Sequence, residues 1–229
     1  MFQLLEMGTP GRTDDGASIE HVLGGSQLAA SQLKRLRRIV DAATQLAEKG
    51  GFEGVKLRDV AEVSEVALGT LYKYFRSKED ILLFALAEEV ERMEATVAAR
   101  PLQNGSPLQR LASFFQQATR SLTRKPQFAR AVLRSLASGD SDTATKVAAF
   151  HGRMSAMIVS VLRGKPLAAP AKDGPALVGT ERERDLALVL QNVWYASLIG
   201  WAGGLHPTKA VAEHVTSAAR LMRIRSKDD

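Results

Sequence analysis

The chain has 229 residues, enough for one or two domains with a sizeable core. It carries 31 Lys and Arg against 25 Asp and Glu, a formal charge of +6, which favours an anionic partner such as nucleic acid. With no cysteine, disulfides, thiol catalysis and cysteine-ligated metal are excluded.

The apolar spacing predicts an all-α chain, with no strand alternation and no internal repeat. Residues 1–30 are rich in Gly, Ser, Thr and Asp and read as a disordered N-terminal tail without a signal peptide. No apolar run is long enough to span a bilayer, so no membrane partner is expected and a cytoplasmic location is. Ser31 is placed to cap a first helix whose apolar stripe runs through Leu33, Leu36, Ile39, Val40, Ala43, Leu46 and Ala47 to a stop at Gly50-Gly51. Lys34, Arg35, Arg37 and Arg38 put four charges in five residues on that helix, suited to phosphate contact.

From Leu57 to Phe75 the pattern is two short helices around a tight turn. Leu57, Val60 and Ala61 form the inner stripe of the first. Leu68, Leu71 and Phe75 form that of the second, with Ser64-Glu65-Val66 between them. A helix-turn-helix reader needs this layout, one helix bracing across the backbone and the next entering the major groove. Gly69, Thr70, Tyr72 and Lys73 are left for DNA. Gly69 permits close approach, the hydroxyls of Thr70, Tyr72 and Tyr74 offer hydrogen bonds, and Lys73 offers charge. Ser77-Lys78-Glu79-Asp80 reads as a capping box that opens the next helix and brings Lys78 beside the same surface.

The run from Gly69 to Asp80, with Arg58-Asp59-Val60-Ala61 before it, is similar to the signature of the tetracycline-repressor-like (TetR) family. Two positions depart: Glu65 stands where the family usually has Gly, and Ala67 where it usually has a capping Ser or Thr. The resemblance implies a three-helix DNA-binding domain over residues 31–77 and a ligand-binding and dimerisation domain over 78–229. It implies a homodimer on an inverted-repeat, double-stranded DNA operator. On it, Lys34, Arg35, Arg37, Arg38, Arg58, Leu68, Gly69, Thr70, Tyr72, Lys73, Tyr74 and Lys78 are the DNA-binding set. Within the family, the wording from Ser31 to Ala87 resembles actinobacterial repressors of cholesterol catabolism. That implies control of lipid- or sterol-degrading genes and a sterol-derived acid or its coenzyme A thioester as inducer.

A long helix from Lys78 to about Ala99 is apolar nearly all round at its start and one-sided later. It is the element expected to reach both domains and to carry movement between them. Helices follow from Ser106-Pro107, from Pro126, from about Thr143 to Leu162, from about Glu181 to Ala202, and from Pro207 to about Arg223. Residues 164–179 read as a surface loop. Phe114, Phe115, Phe128, Met154, Met157, Trp194 and Trp201 are the candidate lining of an apolar ligand pocket, with plain core packing an equal alternative. The acidic runs at 88–91 and 181–184 read as solvated helix faces. The four histidines are scattered and match no metal spacing, and His151 is placed in a core or pocket. No catalytic residue, metal ligand or cofactor is expected. Two other readings stay open: an activator or nucleoid-associated DNA binder of the same fold, and a small helical enzyme or lipid carrier.

Overall fold

The computed structural model describes residues 30–99, 105–138, 141–166 and 179–222. Residues 1–29 of the expected tail and most of the loop at 164–179 lie outside the described residues, and Ala30, the last residue of that tail, is helical. Nine helices form among those described: α1 (Ala30–Gly54), α2 (Leu57–Val63), α3 (Leu68–Leu71), α4 (Lys78–Ala99), α5 (Pro107–Thr123), α6 (Pro126–Leu136), α7 (Ser141–Arg163), α8 (Glu181–Ala202) and α9 (Thr208–Leu221). The fold is all-α, and no helix is long and apolar enough to cross a membrane.

The first three helices close over a small core. Leu36, Ile39, Val40, Ala43 and Ala47 of α1, Val60 and Ala61 of α2, Leu71 of α3 and Phe75 are all buried. The expected stop at the end of α1 is a break at Gly51, whose φ of 61° takes it out of the helix before a short turn to Gly54. Phe75 meets Phe84 of α4 edge-to-face at 5.5 Å, which ties this small core to the larger one. Ser77 accepts from the Asp80 amide at 3.2 Å and Asp80 accepts from the Arg76 amide at 3.1 Å, so α4 starts in the capped form expected.

Beyond α4, α5 is flanked by α6, α7 and α9, and α8 packs on α7 and α9. Ser106 with Gln109 and Thr180 with Glu183 make full capping boxes at the starts of α5 and α8. Arg110 of α5 donates to the carbonyls of Val161 at 2.8 Å and Leu162 at 2.6 Å, closing the C-terminal end of α7.

Two expectations about the long elements are corrected. The helix from Lys78 is not alone in joining the two parts, because α6 packs along α1. The acidic run at 88–91 is not a solvated face. Ser121 donates to Glu89, and Arg153 of α7 lies 3.8 Å from a Glu91 carboxylate that makes no hydrogen bond. Burial pushes the Glu91 carboxyl up to about 7. Glu183, in the second acidic run, is paired with Arg163 at 2.6 Å, and the hydrogen bond from that guanidinium draws its carboxyl down to about 2.

Candidate nucleic-acid interface and ligand core

The turn between α2 and α3 shows how the unusual residues at 65 and 67 are accommodated. Val66 donates to the Ala61 carbonyl and Glu65 to the Glu62 carbonyl, both at 3.0 Å, which is the paired closure of a Schellman motif. The motif needs a left-handed residue, and Glu65 supplies it with φ of 54°. A side chain in that region costs roughly 1–2 kcal/mol where glycine would cost nothing. The buried Ser64 hydroxyl donates to Val60 at 2.6 Å and holds the helix end, and Arg38 of α1 pairs with the Glu65 carboxylate at 3.3 Å. Ala67 starts α3 without a side-chain cap, as its type dictates.

The reader itself is short. Only Leu68–Leu71 is α-helical, and Lys73 and Tyr74 then bond three residues back, to Thr70 and Leu71, in a tightened last turn. Leu71 and Phe75 are fully inside, which leaves Gly69, Tyr72 and Lys73 outside. No atom lies within 4 Å of where a Gly69 side chain would start, so the backbone there is open to a partner. Arg58 on α2 and Lys34 on α1 are also exposed, whereas Thr70, Arg35 and Arg37 are half-buried.

Three members of the predicted DNA-binding set make contacts within the chain. Leu68, on the inner side of the short helix, and Tyr74, in the turn after it, are half-buried and pack against the core. Lys78 turns inward: its Nζ donates to the Phe52 carbonyl at 3.2 Å, lies 3.8 Å from the centre of the Phe52 ring, and sits 3.6 Å from Glu53. Arg134 of α6 reaches the same place, 4.3 Å from the Phe52 ring centre and 2.7 Å from Glu53, and Lys125 pairs with Glu48 nearby. Phe52 and Glu53 therefore bind cations from both α4 and α6 at the end of α1. Nothing in the local sequence marks this junction, since the partners of Phe52 are distant in the chain.

The predicted pocket residues are all buried, but they do not form one lining. Phe114, Phe115 and Trp194 come together, with ring centres 5.2 Å and 5.9 Å apart in turn, and Trp194 donates to the Thr119 hydroxyl at 2.9 Å. Met154 and Met157 are buried on α7. Trp201 belongs elsewhere, lying beneath Arg130 of α6 at 5.0 Å. Phe128 borders a small cleft with Glu89 and Ser121. A cavity of about 140 Å³ opens between α4 and α7, walled by Leu83, Phe84, Val90 and Phe150 with Lys146 and Arg153 at its edge. Between α5 and α9 runs a groove of about 580 Å³, bordered by Arg120, Lys209 and Arg220. None of the seven predicted residues lines either space, because their rings and thioethers fill the core between helices.

Comparison with known proteins places these features. Residues 39–84 match the model for bacterial regulatory proteins of the tetR family, and residues 105–222 match that of a tetracyclin repressor-like C-terminal domain. The HTH-type transcriptional repressor KstR of Mycolicibacterium smegmatis is 33% identical over 203 residues, covering 88% of this chain and 93% of that protein. A TetR transcriptional regulator from Rhodococcus sp. RHA1 has the same fold, with a TM-score of 0.70 at 20% identity over 83% of this chain and 96% of that one. So does the TetR-family repressor FadR of Thermus thermophilus, solved in complex with lauroyl-CoA, with a TM-score of 0.57 at 22% identity over 81% of this chain and 92% of that one. With a reader at its N-terminal end and a matching helical bundle behind it, the chain belongs to the tetR family of bacterial regulatory proteins, a family of regulators and not of enzymes.

Proposed function

We propose that the protein is a ligand-responsive transcriptional repressor that binds an inverted-repeat operator as a homodimer. The observation that carries this reading is the exposed edge formed by Gly69, Tyr72 and Lys73, with half-buried Thr70 beside it, held on a buried brace. One such edge touches too few bases for useful specificity, so two copies on a palindrome are needed, their readers about 34 Å apart. Residues 31–77 serve as the DNA-binding domain, with Tyr72, Lys73 and Thr70 reading bases and Lys34, Arg35, Arg37 and Arg58 contacting phosphates. Residues 78–229 serve as the sensing and dimerising domain. Leu188, Val189 and Ile199 are apolar yet exposed on α8, as a dimer seam along α8 and α9 requires.

The genes controlled are those of lipid or sterol catabolism, and the inducer is a sterol-derived acid or its coenzyme A thioester. Support for this comes from the sequence resemblance over residues 31–87 and from the KstR relative. A fatty acyl thioester is the second reading, favoured by the lauroyl-CoA held in the related fold of FadR. Apolar burial supplies most of the affinity, at roughly 25 cal/mol per square ångström. Release follows only if the ligand binds the DNA-incompetent arrangement better than the competent one.

The test is operator binding on the gene's own upstream DNA, titrated with sterol-derived and straight-chain acyl thioesters. A salt-dependent footprint on an inverted repeat, weakened by one ligand class, is expected. A monomer on DNA by light scattering, or a footprint that no thioester moves, would refute the corresponding part.

A further inference from the structure

The cavity between α4 and α7 is apolar inside and basic at its rim. Leu83, Ala87 and Val90 follow one another along a single stripe of α4, and Lys146, Phe150 and Arg153 along the facing stripe of α7. Ala87 is the small residue in the first stripe, and the space opens beside it. At about 140 Å³ it has room for one six-membered ring, since an apolar cavity of about 150 Å³ binds benzene.

Both rim groups can only donate hydrogen bonds. Arg153 is committed, with its Nε donating to Glu94 at 2.9 Å and a Glu91 oxygen 3.8 Å away. Lys146 donates to Asp80, is 38% exposed, and its ammonium carries further N–H groups beyond that one. Burial, and after it the charge of Arg76, lower the pKa of this ammonium, so a further anion beside it is favoured. An apolar hollow with donors alone on its rim repels cations and suits an apolar body that ends in a carboxylate.

Two contacts lead out of this cavity, and both end at the reader. Phe84, in its wall, meets Phe75 edge-to-face at 5.5 Å. Asp80, which holds Lys146 by one oxygen, accepts from the Arg76 amide at 3.1 Å by the other. Phe75 and Arg76 are consecutive, and they follow directly on the tightened turn that ends the reader.

We propose that this cavity is an effector site for a compact monocarboxylic acid, with its apolar body against Phe84 and Phe150 and its carboxylate on Lys146, and that the Lys146–Asp80 pair reports its occupancy to the reader. A carboxylate on Lys146 competes with Asp80 for the ammonium. Asp80 then keeps the Arg76 amide without its cation, while the body of the acid presses on the wall that carries Phe75. The acid favours the arrangement with the pair broken, and so weakens operator binding. The site asks for a free carboxylate and a body of about one ring, which a thioester does not offer. The switch rests on the reading of the protein as an operator-binding repressor, whereas the preference of the site for an acid does not.

The experiment uses the full chain with cyclohexanecarboxylate and its uncharged counterpart, cyclohexanecarboxamide. Binding is read by calorimetry and operator affinity by fluorescence anisotropy. The wild type is expected to bind the acid about tenfold more tightly than the amide, the effect of one charge-assisted hydrogen bond. At saturation the acid is expected to weaken operator binding about fivefold. Lys146→Met is expected to bind both compounds alike and to show no response of the operator to the acid, whereas Lys146→Arg keeps the preference. Ala87→Leu, which fills the space, is expected to weaken both compounds about tenfold. Equal binding of acid and amide by the wild type, a preference that survives in Lys146→Met, or undiminished binding in Ala87→Leu overturns the site. An acid that binds with the expected preference and leaves operator affinity unchanged overturns the switch. Binding of neither compound, while thioesters still release the operator, overturns the inference and leaves the repressor reading standing. A protein that binds no operator removes that reading and the switch together, and calorimetry still decides the site.

Discussion

The reader and the bundle treat polar groups in opposite ways. Around the α2–α3 turn, Glu65, Val66 and Ser64 bond back into α2, and Tyr72 and Lys73 point outward. The cost there lies in one backbone angle, at Glu65. In the bundle, Glu91 is drawn inside with carboxylate oxygens that accept no hydrogen bond. A docking tool must keep one shape, and a closed hydrogen-bond set gives it that.

The two regions meet in the edge-to-face pair of Phe75 and Phe84, and breaking it has the largest expected effect. Phe75 is 1% exposed and rests on Phe84. Phe75→Ala should cost about 3–5 kcal/mol and lower the melting temperature by about 10 °C, with operator binding lost together with it. A loss of under 2 °C would show that the reader stands without the bundle, and the two would have to be treated as separately folded.

The next contrast is read by pH. Glu91 has a folded pKa of about 7, above its ordinary 4.5. Folding therefore takes up a proton between those values, and this group's contribution to stability rises as the pH falls through that window. His151, whose pKa burial lowers, acts in the other direction, so the quantity to read is the difference between variant and wild type. Glu91→Gln should gain several degrees on the wild type at pH 8 and little at pH 5, followed by thermal melting. A constant difference across that range would mean that the carboxyl is solvated.

How much of this was legible in the sequence follows the same divide. The reader was, because its brace, turn and inner stripe lie within Leu57–Phe75 and obey local rules. Helix starts were, wherever a cap stands three residues from its partner, as with Ser106 and Gln109. The hydrogen bond of Lys78 was not legible because its acceptor, the Phe52 carbonyl, is 26 residues away. Glu89 read as solvated because Ser121, its partner, is 32 residues away. The seven pocket candidates were correctly expected to be buried, but periodicity says which way a side chain faces and not whether a space lies before it.

The junction at Phe52 sharpens the comparison further, since it is where the bundle grips the reader. Arg134→Ala removes a cation from the Phe52 ring and an ion pair with Glu53 that is largely exposed. The ring contact is the larger share, and about 1 kcal/mol of stability should go. Operator affinity without ligand should change by less than about threefold, because no DNA-facing group is touched. The ligand dose needed for release should rise more than that, as one of the cation contacts on α1 is gone. Equal changes in both would place Arg134 in general stability and not in communication.

The smallest effect is expected at Glu65, and it tests whether the reader's cost is really confined to one angle. With φ of 54°, this residue pays a backbone penalty that glycine avoids. Its carboxylate also holds Arg38 at 3.3 Å, but that pair is exposed on both sides, so it offsets little. Glu65→Gly should therefore raise stability by up to about 1 kcal/mol, while a left-handed position filled by Ala in Glu65→Ala should not. The same change removes a negative charge beside the DNA-facing surface and frees Arg38 for a phosphate. Operator affinity should rise a few-fold, with the salt slope steeper by about one unit per subunit. The control is Arg38→Ala in the glycine background: it should return the slope to its wild-type value. If Glu65→Gly leaves the slope unchanged while stability rises, Arg38 lies away from the DNA and belongs to the turn alone.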